Sequence, residues 1–409
     1  MKNDHASSGL ARDIERWDYL DQLRAGLMVL GIPYHVALVY ASHSSWIVNS
    51  PEESTLLTWA AQFSHTFRMP AFFVLAGFFA LLIIRRRGAA PWWRSRLYRL
   101  VIPLIATALM VNPMIMAANS YAEAGLDGML EHWTAQITSF GEPWQVHLWF
   151  LVHLLIFSAV LAALWHFKDQ LALEARTHAL QNVLERGPVV FGLALLAIGG
   201  ATAGFAVAAK LAGVSYLWDG ILIPARVVAN LPVFLFGAML AFRRDWLERF
   251  TRPHAGLWVA AFLSASALAV ITPIEEALPR MGTYFLAPIT GILFAHVLMS
   301  AARRYLNRST PLSRALVDAS MTMYLVHIAF VTWFCALFLS ITMNPLLEFG
   351  LITVLSLLGS YATHLIVRRS KLLLLLFNGR SERDPLRSQS RLSTAQPGAG
   401  LAAPQRMVS

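Results

Sequence analysis

Ten apolar runs, each about as long as a membrane-crossing helix, constrain this 409-residue chain more than any other feature. A bilayer core about 30 Å thick needs roughly 20 apolar residues of helix to cross it. The runs cover residues 20–41, 57–84, 100–118, 146–167, 188–209, 221–242, 255–273, 283–302, 315–339 and 347–367. Only 14% of the residues are charged, against about 25% in a typical soluble domain. The sequence therefore predicts an all-α, polytopic membrane protein with about ten transmembrane helices and disfavours a soluble enzyme.

The basic residues are distributed asymmetrically between the two ends of these runs. Ten crossings leave six segments on one side and five on the other, and the six hold 28 of the 33 lysines and arginines while the five hold 2. Cytoplasmic segments of membrane proteins carry such an excess, so we expect both termini to be cytoplasmic. The formal net charge of +10 is then a topology signal, and it does not indicate a nucleic-acid partner.

The chain divides into three parts by composition. Residues 1–19 are predicted to form a cytoplasmic N-terminal segment and residues 20–370 the transmembrane domain. Residues 371–409, rich in serine, arginine and proline towards the end, are predicted to be a disordered cytoplasmic tail. The longest outward segment, about residues 119–145, is predicted to be a loop. A single cysteine excludes a disulfide framework, and no residue spacing matches a metal-binding motif.

The first run carries the most informative polar residues. Ionisable side chains at bilayer depth are costly and usually face the protein interior or a wet cavity, so they are functional candidates. Arg24 and His35 are eleven residues apart, which places them on one face of a helix and about 16.5 Å apart along its axis. Asp21 lies one turn below Arg24, and Pro33 is expected to kink the helix. A purely structural role, as an ion pair and a buried imidazole, stays open at this point.

The second run contains His65 and Arg68, which share a face if the segment is helical. One interpretation is a contact for an anion or a substrate inside a cavity. The other is that Arg68 extends to the outer interface, with its aliphatic stem along apolar surface. Pro70 interrupts the same run, so the segment is either a broken helix or one that lines a wet cavity.

Five further ionisable residues are candidates. Arg96 and Arg99 precede the third run, where they form either an interfacial aromatic and basic belt or a site whose guanidinium groups hold phosphates. Three more lie inside later runs: His147, Arg226 and His327. Taken singly, each of these histidines has a structural role as its alternative.

Four short motifs, in order along residues 17–370, resemble the membrane acyltransferase 3 family. They are Arg24-x10-His35, the string from Phe72 to Phe78, Arg96-x2-Arg99 before Pro103, and Tyr324-x2-His327. Three further strings, which begin at Leu30, Ser64 and His147, resemble the glucan biosynthesis protein C branch of this family. One departure is Ala76, because many members carry serine there, and this argues against chemistry at that side chain.

The resemblance implies roles for individual residues. In the family the first-helix histidine is the essential catalytic residue, which corresponds to His35, and the arginine of the same motif corresponds to Arg24. The arginines that open the third helix are linked to activity, which corresponds to Arg96 and Arg99. The branch succinylates osmoregulated periplasmic glucans. The resemblance therefore implies a multi-pass protein of the bacterial inner membrane that uses an acyl-CoA donor and holds no permanent cofactor or metal.

The resulting hypothesis is acyl transfer across the membrane, from cytoplasmic succinyl-CoA to a glucose hydroxyl of a periplasmic β-glucan. His35 is predicted to be the general base, because the unperturbed pKa of histidine, about 6.5, suits that task. The donor phosphates are expected near Arg24, Arg96 and Arg99, and Asp21 is expected to order Arg24. Direct transfer and a transient acyl-histidine are both compatible with the sequence.

The remaining candidates are assigned to the substrates. Arg68 or Arg226 is expected to bind the free carboxylate of a succinyl group, and the other predicted contacts are His65, His147 and His327. Membrane lipid and other glucan-synthesis proteins are the expected partners. The alternatives are an O-acetyltransferase of another envelope polysaccharide and, from a different class, a glycan transporter.

Overall fold

The computed structural model describes residues 18–42, 46–139, 141–274, 276–341 and 343–379. Within these ranges the chain is helical and forms no β-strand beyond one isolated bridge. The helices are α1 Asp18–Val29, α2 Gly31–Val39, α3 Thr55–Arg87, α4 Ala89–Met110, α5 Asn112–Thr138, α6 Glu142–Gln145, α7 Trp149–His166, α8 Leu173–Leu184, α9 Pro188–Leu211, α10 Pro224–Leu240, α11 Arg244–Phe250, α12 Ala255–Ile271, α13 Ala277–Tyr305, α14 Pro311–Phe338, α15 Pro345–Val367 and α16 Lys371–Asn378.

All ten predicted runs are helical over most of their length, although the first is divided between α1 and α2 and the third between α4 and α5. In the described part of the chain, eight spans are long and apolar enough to cross a membrane, and α10 with α11 makes a ninth if this pair, bent by 120°, is one span. The seventh run corresponds to α12, an apolar helix of 17 residues. The prediction of an all-α, polytopic membrane protein is confirmed, and the cytoplasmic placement of the termini stays a prediction.

The first span is one helix with a local interruption. The helical pattern breaks at Leu30, which separates α1 from α2 although Leu30 keeps helical dihedral angles. The cause is Pro33, which has no N–H to donate to the carbonyl of Val29. The distortion predicted at Pro33 is therefore present as one missing backbone hydrogen bond, and residues 18–39 still form a single span.

Helix α3 is continuous over 33 residues and passes through Pro70 without a break. The side chain of Ser54 accepts a hydrogen bond from the Leu57 amide at its start, and three arginines, which favour a helix C-terminus, lie in its last turn. The broken-helix interpretation of this run is therefore wrong.

Helices α3 and α10 approach each other through two glycines. A Cβ atom at Gly77 would fall on the carbonyl oxygen of Phe234, and one at Gly237 would fall on the carbonyl oxygen of Val74. Small residues allow such close backbone contact, which is a main source of stability between helices in membranes. The centre of the bundle is fixed in this way, and α3 presents the polar side chains described below.

The prediction of an outward loop over about residues 119–145 is wrong for most of this segment, which is helical. Helix α5 continues through it and reverses at Gly125, whose φ of 63° is in the left-handed region that glycine tolerates. The reversal forms a helical hairpin, in which the Trp133 indole N–H donates to the carbonyl of Pro113, 2.9 Å away. A second bond joins Gln136 to Asn119.

Two predicted segment boundaries need correction. Residues 371–378, assigned to the disordered tail, form helix α16, and Gly379 after it lies against the backbone of Arg99. Asn378 also hydrogen-bonds to Thr322 of α14, so this part of the tail packs on the bundle. At the other end α1 already begins at Asp18. Residues 1–17 and 380–409 lie outside the described residues.

Candidate active site

A cluster of histidines and one arginine lies where α2, α3 and α14 meet the residues that precede α7. We call it the histidine–arginine cluster. Its members come from four separate segments of the chain, so the fold alone brings them together: His35, His65, Arg68, His147 and His327.

His35 is surrounded by aromatic rings. The indole of Trp46 stacks on it with ring centroids 5.6 Å apart, and the ring of Tyr34 contacts it edge-on at 4.7 Å. The ring of His327 lies 5.2 Å away on the neighbouring helix. Nδ1 of His35 is buried and has no hydrogen-bond partner. The His35 ring is therefore held by packing, and one of its polar atoms is unsatisfied.

His327 is buried and its tautomer is fixed by the backbone. Its Nδ1 lies 2.7 Å from the carbonyl oxygen of Tyr324 and 3.2 Å from that of Met323. A carbonyl oxygen only accepts, so Nδ1 must carry the proton. In the neutral ring Nε2 then holds the lone pair, and this atom is buried without a partner.

Arg68 lies inside the bundle and does not extend to an interface. It is 7% exposed, and its guanidinium carbon stands 4.2 Å above the ring of Tyr34. Space for it depends on Gly31, because a Cβ there would lie 2.5 Å from Arg68 Nη1 and 3.7 Å from His327 Nε2. The structure therefore excludes the interpretation in which Arg68 reaches the outer interface.

The charge of Arg68 is not balanced by a carboxylate. Among the described residues none of the ion pairs involves Arg68, and its Nε is buried without a hydrogen-bond partner. A buried cation costs free energy unless it is paired. Cation–π contact with Tyr34 offsets part of this cost. The cluster is therefore suited to an anionic group of a ligand.

The other predicted substrate contacts border the cluster. The Tyr34 hydroxyl and His65 Nδ1 share a hydrogen bond of 3.0 Å, and the His65 side chain is exposed. The ring of His147 lies 5.5 Å from that of His327. Arg226, exposed on α10, is within electrostatic range of Tyr34 and His65. Four of the five predicted substrate residues thus belong to one cluster, and Arg226 lies outside it but influences it electrostatically.

A second group of cations lies towards the start of α1. Arg24 Nη2 forms an ion pair of 3.0 Å with Asp21 Oδ1, and its guanidinium carbon is 5.2 Å from the ring centroid of Phe79. Arg96 Nε donates to Ser158 Oγ at 3.3 Å. Arg24 and Arg99 are both within electrostatic range of Arg96. We call Arg24, Arg96 and Arg99 the cationic group.

One face of the first span connects the two groups. Arg24 contacts Phe79 of α3, Gly31 adjoins Arg68 of the same helix, and His35 contacts His327 of α14. These three positions follow the helical repeat, since they lie seven and four residues apart. The eleven-residue spacing therefore places Arg24 and His35 on the face turned towards the interior.

Three aromatic residues complete the site without having been assigned a role from the sequence. Tyr34 supports Arg68 and binds His65, and Trp46 stacks on His35. The hydroxyl of Tyr324 donates to the carbonyl of His147 at 2.6 Å. Tyr34 and Tyr324 belong to the motifs that carry the family resemblance, and this resemblance was the sequence signal that could have identified them, whereas nothing in the sequence marks Trp46.

Within the described ranges no three His, Cys, Asp or Glu side chains are placed to hold a metal ion.

The bundle and its buried polar cluster define a multi-pass membrane protein with a site inside the membrane domain. The chain belongs to the acyltransferase 3 family, because the model of that family's acyltransferase domain matches residues 17–365. An O-acyltransferase activity is the activity that this membership supports.

Within this family, the chain is similar to curated proteins that share one name. The chain is 30% identical over 397 residues to the glucans biosynthesis protein C of Salmonella paratyphi A, which covers 91% of this chain and 96% of the relative. The proteins of the same name from Salmonella agona and Salmonella enteritidis PT4 match with the same identity and coverage. No solved structure gives a significant match.

Proposed function

We propose that this protein is an inner-membrane acyltransferase that moves a succinyl group from cytoplasmic succinyl-CoA to glucose hydroxyls of periplasmic glucans. The observation that carries the proposal is that Arg68 is buried without a carboxylate partner among the described residues, in the cluster that also contains His35. An anionic acyl group would supply the missing negative charge. The name of the curated relatives supports a glucan as the acceptor.

His35 is the general base in this proposal. Its Nε2 accepts the proton of the sugar hydroxyl while the hydroxyl oxygen attacks the thioester carbonyl. The carbon–sulfur bond then breaks, and the thiolate takes the proton from the imidazolium, so that an ester and a free thiol are formed. A positioned histidine is suited to both transfers because its ordinary pKa lies close to neutral pH.

The cationic group would hold the donor. Phosphates of a nucleotide form strong, charge-assisted hydrogen bonds with guanidinium groups. Arg24 and His35 are about 16.5 Å apart along the helix axis at 1.5 Å per residue, and a pantetheine arm is of the same order of length. The thioester would then reach His35 while the phosphates stay at Arg24, Arg96 and Arg99.

Arg68 should determine the preference for an acyl group with a free carboxylate. Hydrogen bonds to charged groups contribute about 1.5–3 kcal/mol, so Arg68→Gln should slow transfer from succinyl-CoA about 10- to 100-fold. Transfer from acetyl-CoA should change much less. Initial rates with the two donors, measured for Arg68→Gln, Arg226→Gln and the exposed control Arg244→Gln, test this. An unchanged donor ratio in both of the first two variants would refute the carboxylate site.

Release of free thiol tests whether the protein transfers an acyl group from the thioester at all, whichever residues carry out the reaction. Purified wild-type protein in detergent is incubated with succinyl-CoA and a linear β-glucan, and both thiol and glycan mass are followed. We expect thiol release that depends on the glucan, together with the mass gain of a succinyl group. A gain of acetyl mass with acetyl-CoA alone would favour the O-acetyltransferase. A transporter would release no thiol.

A further inference from the structure

Four buried ring nitrogens of the histidine–arginine cluster have no hydrogen-bond partner; two belong to His147, and the other two lie on the neighbouring rings of His35 and His327. The latter two are Nδ1 of His35 and Nε2 of His327, and the centroids of these rings are 5.2 Å apart. Buried polar atoms are nearly always hydrogen-bonded. Because each nitrogen lies at the rim of its ring, this centroid separation permits a hydrogen bond when the two nitrogens face each other. The two unsatisfied atoms are therefore potential partners of each other.

Their protonation states are complementary. His327 must keep its proton on Nδ1, which faces the carbonyl oxygens of Tyr324 and Met323, so its Nε2 can only accept. If His35 uses Nε2 as the base, its own proton resides on Nδ1, and this atom can only donate. One neutral donor and one neutral acceptor thus lie side by side.

We propose that His327 is the positioning residue for His35, with His327 Nε2 accepting a hydrogen bond from His35 Nδ1–H during catalysis. This inference rests on the proposed role of His35 as the base. The bond would fix the tautomer that leaves His35 Nε2 free for the sugar hydroxyl. It would also stabilise the imidazolium that forms after proton transfer, and no proton would pass to His327.

The other aromatic neighbours of His35 do not offer a free ring nitrogen as acceptor. The Tyr34 hydroxyl is engaged with His65, and the indole nitrogen of Trp46 is a donor only. The ring of His147 contacts His327 and is not in ring contact with His35. Among the described aromatic rings in contact with His35, that of His327 is therefore the one with a free acceptor nitrogen.

Substitutions at residue 327 separate positioning from substrate contact. Glutamine places an amide oxygen near the position of Nε2, whereas asparagine places it near Nδ1. We expect His327→Asn and His327→Ala to lower kcat about 100-fold, part of the 10²–10⁴-fold effect of a positioned base. His327→Gln should recover about tenfold of this loss, and the KM values of donor and acceptor should change little in all three. His153→Gln and His153→Asn, at a buried histidine of α7 outside the cluster, are the matched controls and should behave alike.

Two results would overturn the inference. One is a series at residue 327 in which KM rises while kcat stays at the wild-type value, because His327 would then be a substrate contact only. The second result comes from nitrogen-15 NMR of the wild-type protein with labelled histidine, which does not require an active variant. The spectrum should show the proton on Nδ1 of both rings. The signals are assigned by their loss in His35→Asn and His327→Asn. A proton on Nε2 of either ring contradicts the bond. If wild-type protein transfers no acyl group at all, the proposed function fails instead, and the NMR result still reports on the hydrogen bond.

Discussion

Replacing His35 with alanine should lower the transfer rate by about 10²- to 10⁴-fold, the range that a positioned general base contributes. The bundle should remain folded, because the ring of His35 packs among aromatic side chains and makes no hydrogen bond through Nδ1. Turnover of succinyl-CoA by the purified variant, normalised to the monodisperse fraction in size-exclusion chromatography, is the measurement.

The matched control for this variant is His153→Ala. His153 is also buried, its Nδ1 also lacks a partner, and its ring packs against those of Phe73 and Trp149. Loss of a buried imidazole as such should therefore affect both variants equally, whereas loss of the base affects His35→Ala alone. A folded His35→Ala protein that retains the wild-type rate would contradict the assignment of the base.

The largest effect on stability is expected at the contact between α3 and α10. Gly77→Ala places a methyl group on the carbonyl oxygen of Phe234, and Gly237→Ala places one on that of Val74. The helices must separate, and such overpacking costs typically about 1–3 kcal/mol, occasionally more. Both variants should therefore show a lower midpoint of thermal unfolding in detergent, followed by tryptophan fluorescence.

Gly200→Ala provides the control for this experiment. Gly200 lies in the middle of α9, and an added Cβ there meets nothing within 4 Å. Its midpoint should stay the same or rise, because alanine favours a helix over glycine by about 1 kcal/mol. If Gly77→Ala and Gly200→Ala unfold at the same temperature, the close contact of α3 with α10 is not a source of stability.

The sequence predicted the helices and the principal face of the site for a physical reason. Without water to satisfy backbone groups, a spanning segment must be helical, so its length and apolar character determine its structure. Because Arg24 and His35 are eleven residues apart, helix geometry alone then places them on the same face. The polar residues of different runs could be grouped only because each is costly in lipid and has to face the interior.

Other features depend on contacts that no local pattern encodes. The hairpin that reverses at Gly125 carries enough polar residues to be interpreted as a loop, and its stability comes from bonds such as that of Trp133 with Pro113. Helix α16 is short and forms where it packs on α4 and α14. Trp46 reaches His35 from the segment between α2 and α3. Tertiary packing decides each of these cases.

Reconstitution into liposomes tests the central claim most directly. Succinyl-CoA is enclosed in the lumen and a β-glucan is supplied outside, and the outer glucan is analysed by mass spectrometry for wild type and His35→Ala. The account predicts that succinyl groups appear on the outer glucan with the wild type alone, while the lumenal donor loses its acyl group. Succinylation that occurs only when donor and glucan are on the same side of the bilayer would contradict it.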